Sequence, residues 1–63
     1  MKIWVIQCFD RDLGIEWRAV SPEFGGRNFT REAARAAAKF LRAHYPGFDF
    51  RVRALEASCE VVN

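Results

Sequence analysis

The run REAARAAAKFLRAH at residues 31–44 constrains this chain more than any other stretch. Alanine is the strongest helix former, so the run predicts one secure helix. Thr30 is placed to cap it, Glu32 puts a carboxylate at the positive end of the dipole, and Phe29 is placed to staple onto Ala34. His44 lies in the last turn and Pro46-Gly47 stops the helix. The remaining segments read as strands and loops. A single helix covers one face of a sheet, so the other face is left to water.

The strands follow from alternation and β-branched or aromatic content. Lys2 to Phe9 (KIWVIQCF) is a first strand, Asp10 to Gly14 a hairpin loop, and Ile15 to Ser21 (IEWRAVS) an alternating second strand. Pro22 to Asn28, with its paired Gly25-Gly26, predicts a loop. Phe48 to Leu55 (FDFRVRAL) alternates again as a third strand, and residues 56–63 either extend it or form a short edge strand. The expectation is an α+β fold: a single β-β-α-β domain over residues 1–63, a three-stranded antiparallel sheet in the order 2-1-3, and one helix packed on one face. Such a chain has little stability to spare. Burial of about 60% of its surface supplies about 95 kcal/mol, and chain ordering costs about as much.

Pairing strands one and two about the loop sets Phe9 opposite Ile15, Gln7 opposite Trp17 and Val5 opposite Ala19. Together with Phe50, Val52 and Ala54 this is the more apolar set, expected to meet Ala33, Ala36, Ala37, Phe40 and Leu41 of the helix. Trp17, Phe40 and Phe50 are then expected to fill the core. The opposite face collects Trp4, Ile6, Cys8 and Val20, interleaved with Glu16, Arg18, Arg51 and Arg53 and joined by Leu55, an open strip whose tryptophan and arginines are the types found in binding hot spots. On the helix, Arg31, Arg35, Lys39 and Arg42 recur on one side.

The chain is 51% hydrophobic and 29% charged, which excludes disorder. Its net charge of +2 names no partner, but six of the ten basic residues lie between residues 31 and 53, against only Glu32 and Asp49. Catalysis finds no constellation: His44 is the lone histidine and sits where a helix end favours a cation. Cys8, Cys59 and His44 match no zinc spacing, and Asp10, Asp12 and Glu16 match no calcium loop, so neither metal nor cofactor is expected. No apolar run approaches a membrane span or a secretory signal, which predicts a cytoplasmic protein with reduced thiols.

The run VSPEF after a strand, followed by FTREAARAAAKFL, resembles the strand, Pro-acid-aromatic turn and Ala/Glu-rich helix of HicB-type antitoxins, a resemblance that covers about half the chain. The expected elements are one strand short of that pattern and the loop is shorter, so no functional residue is carried over. In size and in lacking a catalytic constellation the chain is also similar in style to phage-encoded inhibitors such as anti-CRISPRs. The expected function is a non-catalytic module that docks on a protein partner, as a regulator or inhibitor of the mobile-element type. Its candidate contacts are Trp4, Ile6, Arg18, Arg51 and Arg53 on the sheet, or Arg31, Arg35, Lys39 and Arg42 on the helix. Nucleic-acid binding through either surface is the alternative, and a homodimer through the open sheet face is a variant.

Overall fold

The computed structural model describes residues 2–56. Cys59 and the expected edge strand beyond residue 56 lie outside the described residues. The elements are β1 (Lys2–Asp10), β2 (Arg18–Ala19), a 3-10 turn (Pro22–Phe24), β3 (Arg27–Asn28), α1 (Arg31–His44) and β4 (Phe48–Glu56). β1 is the central strand, with β2 and β3 antiparallel along one edge and β4 antiparallel along the other. The α+β class, the 2-1-3 arrangement of the long segments and the single helix on one face are as expected. β3 is a strand where a loop was predicted.

β2 and β3 are one interrupted strand. The Val20 N–H donates to the Ile6 carbonyl at 2.9 Å, and the Ile6 N–H donates to the Gly26 carbonyl at 2.9 Å. Between these two rungs the chain leaves the sheet through the 3-10 turn, where the Ser21 hydroxyl accepts from the Glu23 N–H and Gly25 adopts φ 82°. Gly26 is buried on return, and a Cβ there would stand 2.0 Å from the Val20 carbonyl oxygen. Only glycine lets the chain rejoin the edge beside its own point of departure.

The pairing of β1 with β2 sets Gln7 opposite Ala19, two residues from the expected register, because residues 11–17 form a wide loop rather than a tight hairpin. In this loop the Asp10 carboxylate accepts from the Asp12 N–H at 2.9 Å, and Gly14 turns at φ 61°. A shift of two preserves the faces. The pairing with β4 does not follow the expected faces: Ile6 lies opposite Val52, Cys8 opposite Phe50 and Gln7 opposite Arg51 without interruption from Lys2 to Asp10. Phe50, Val52 and Ala54 therefore share a face with Trp4, Ile6 and Cys8. This is the face under the helix.

The core is Ile6, Ala38 and Leu41, fully or nearly fully buried, with Val20, Ala37, Phe50 and Val52 packed around them. The helix stripe is rotated from the expected one: Ala34, Ala38 and Leu41 are inward, whereas Phe40 is 60% exposed and its ring lies 4.1 Å from that of His44. Close approach explains this, since alanines let the helix axis settle near the pleat where a phenyl ring would hold it off. Trp17 is likewise absent from this core. It packs on the far face of the sheet, 5.5 Å from the Phe9 ring. Thr30 caps α1 as expected, its hydroxyl accepting from the Ala33 N–H at 3.1 Å, and Phe29 remains exposed.

Two outcomes check this packing. Leu41→Ala is expected to lower unfolding free energy by about 2–5 kcal/mol and Phe40→Ala by less than about 1 kcal/mol, measured in urea. Gly26→Ala is expected to cost about 3 kcal/mol or more, because backbone rather than a flexible side chain meets the new methyl.

Candidate functional site

On one flank of the helix Ala37 lies 3.3 Å from the position a Cβ would take on Gly25. A groove opens on its other flank, between α1 and β4. It has a volume of about 690 Å³ and is lined by Trp4, Ala38, Phe50 and Val52 along its floor and by Arg31, Arg35, Ala36, Lys39 and Arg42 along the helix wall, with Arg51 at the β4 rim. Among the described residues no carboxylate lines it. The i, i+4 spacing of Arg31, Arg35 and Lys39 stacks three cations along one flank of α1, with Arg42 continuing the row. Arg42 also ties helix to strand, donating from Nη2 to the Phe50 carbonyl at 3.2 Å.

The structure thus joins two surfaces that the sequence reading kept apart. Trp4, assigned to an open sheet strip, shares one groove with all four basic residues of the helix. Its ring is half-buried and carries the Lys2 ammonium 5.8 Å from its centroid. The rest of the strip is dispersed. Ile6 is entirely buried in the core and offers no contact surface. Arg18 stands exposed on β2 in a small depression with Cys8, Asp10 and Glu16, remote from the groove lining.

Arg51 and Arg53 project on the face away from the helix, as their pairing with Gln7 and Val5 requires. Arg51 is engaged there: its Nε donates to Gln7 Oε1 at 2.7 Å, and its guanidinium carbon lies 4.1 Å from the Trp17 ring centroid. Arg53 is exposed, and Arg27 on β3 flanks Val5 from the other side. Phe50 and Val52 are site residues that sequence reading placed in the core alone. Their signal was their alternation with Arg51 and Arg53, which marks a strand apolar on one side and basic on the other.

A second pocket of about 380 Å³, at the opposite flank of the helix, is apolar and lined by Val20, Phe24, Leu41, Tyr45 and Phe48 among others. Among the described residues no three His, Cys, Asp or Glu side chains cluster as metal ligands would. No described helix is long and apolar enough to cross a membrane. No protein-family model matches the sequence, and no characterised protein or solved structure matches it either.

The far-face cluster has its own test. Arg51→Ala removes a charged hydrogen bond and a cation-π contact, and is expected to lower stability by about 1–2 kcal/mol. In a Trp4→Phe background the emission of Trp17 is expected to change with it, whereas Arg53→Ala leaves both readings near their original values.

Proposed function

We propose that the protein is a non-catalytic binding module whose site is the groove between α1 and β4, and that its partner is an acidic surface of another protein. The observation that carries this reading is the groove lining: four cations from α1 over a floor of Trp4, Phe50 and Val52, with no carboxylate among the described residues that line it. Aromatic and arginine side chains are the types that dominate binding energy at protein interfaces. Cations along the rim steer an acidic partner and fix its register. The mode of action is occlusion, as befits a small regulator or inhibitor that covers the partner's acidic site.

Single-stranded nucleic acid is the second reading, favoured by Trp4 and Phe50 beside the basic row. Against it, Lys2 lies over the Trp4 ring, on the surface a base would need.

Titration with a labelled oligoglutamate and with a labelled oligothymidine, each at two salt concentrations, separates the two. The expected result is saturable binding of the acidic peptide, weakened about tenfold or more by the paired change Arg35→Glu and Lys39→Glu. Tight binding of the oligothymidine with steep loss on adding salt, and none of the peptide, would transfer the site to nucleic acid.

A further inference from the structure

We infer that the groove captures its partner by strand addition: an extended acidic segment pairs with the outer edge of β4 and lays its side chains beneath the basic row of α1. This inference rests on the reading of the groove given above and specifies its partner. The backbone hydrogen bonds of β1 alternate in direction. Both the N–H and the carbonyl of Ile6 point toward β2 and β3. Neighbouring residues of an antiparallel strand point the opposite way, so Val5 and Gln7 direct theirs to β4, in hydrogen-bonded pairs with Arg53 and Arg51.

The alternate residues of β4, among them Phe50, Val52 and Ala54, therefore direct their backbone groups outward. The hydrogen bond from Arg42 to the Phe50 carbonyl is the direct sign of it. Among the described residues no strand pairs with this edge of β4, and its length of nine residues is unusual for an exposed edge. The outward N–H groups of Val52 and Ala54 lie beside the same groove that holds the cations. A strand placed there stands about 4.8 Å beyond β4, with alternate side chains turned to the helix side. Acidic side chains in those positions meet Arg31, Arg35 and Lys39. Those on the other side lie next to the exposed Arg53, while Arg51 is held inward on Gln7 and Trp17, so the acidic side chains belong on the helix side.

A second copy of the chain fits this edge poorly. The antiparallel pairing of β4 with itself that gives the longest overlap centres on Val52 and sets Arg51 opposite Arg53 twice. Like charges directly across a strand pair are destabilising. An acidic segment places no cation opposite either arginine.

The test uses the full chain and a peptide of alternating Glu and Val about nine residues long, the length of β4. The expected result is slowed amide hydrogen exchange at Val52 and Ala54 on binding. The same peptide N-methylated at alternate residues keeps its charge but loses its edge donors, and is expected to bind about tenfold or more weakly. Ala54→Pro, which removes an outward N–H at an exposed position, is expected to weaken the parent peptide comparably while leaving the melting temperature within a few degrees.

Unchanged affinity of the methylated peptide, without protection at Val52 and Ala54, overturns strand addition. If Arg35→Glu with Lys39→Glu still abolishes binding in that case, the basic groove stands and only the docking mode falls. If neither change matters, the groove reading falls as well. Concentration-dependent dimerisation in sedimentation, with protection at Val52 and Ala54 in the absence of peptide, assigns the edge to a second copy and overturns the inference.

Discussion

Ile6 is the point on which the rest of the structure depends. Its N–H and carbonyl hold the chain at Gly26 and Val20, its side chain is wholly buried against Ala38 and Leu41, and its cross-strand neighbour is Val52. One residue thus joins the interrupted edge, the central strand, the helix and β4. In a domain whose burial and ordering terms nearly cancel, such a junction concentrates the cooperativity of folding. It also explains why Ile6 serves no partner. A side chain that closes the core from four directions has no face left to present.

The helix and the two long strands were legible in the sequence; the short extent of β2, the edge strand β3 and the faces were not. Alanine content and capping located α1 to the residue, and alternation located β1 and β4 within a residue or two. β1, however, is apolar on both sides: Ile3, Val5 and Phe9 alternate with Trp4, Ile6 and Cys8. No tight turn links β1 to β4, so pairing parity is not set locally. The discriminating residue was Gln7. A half-buried amide needs a polar neighbour, and setting it opposite Arg51 satisfies both groups while turning Phe50 and Val52 to the helix.

The misplacement of Phe40 has a related cause. Helical periodicity ranks positions by hydrophobicity, and by that measure a phenylalanine belongs in the core. The distance between helix and sheet is set by the smallest residues at the contact, and here Ala34 and Ala38 are completely buried. The candidate groove is a by-product of the same geometry. A helix drawn close to the sheet by alanine leaves one flank, with Arg31, Arg35 and Lys39, standing over a part of the sheet that includes Trp4. Trp4 therefore came to the basic row through the placement of the helix on the sheet, which no pattern along the chain records.

The excursion between Val20 and Gly26 has a consequence for how a chain like this diversifies. Both ends of the excursion bond the same residue of β1, so residues 21–25 start and finish at one rung. Their number can change without moving any strand pair, because register on either side is held at Ile6. The closure entropy of such a loop grows only slowly with length. This corner is therefore a place where new sequence can be spliced into the domain while the strand pairs on either side keep their register.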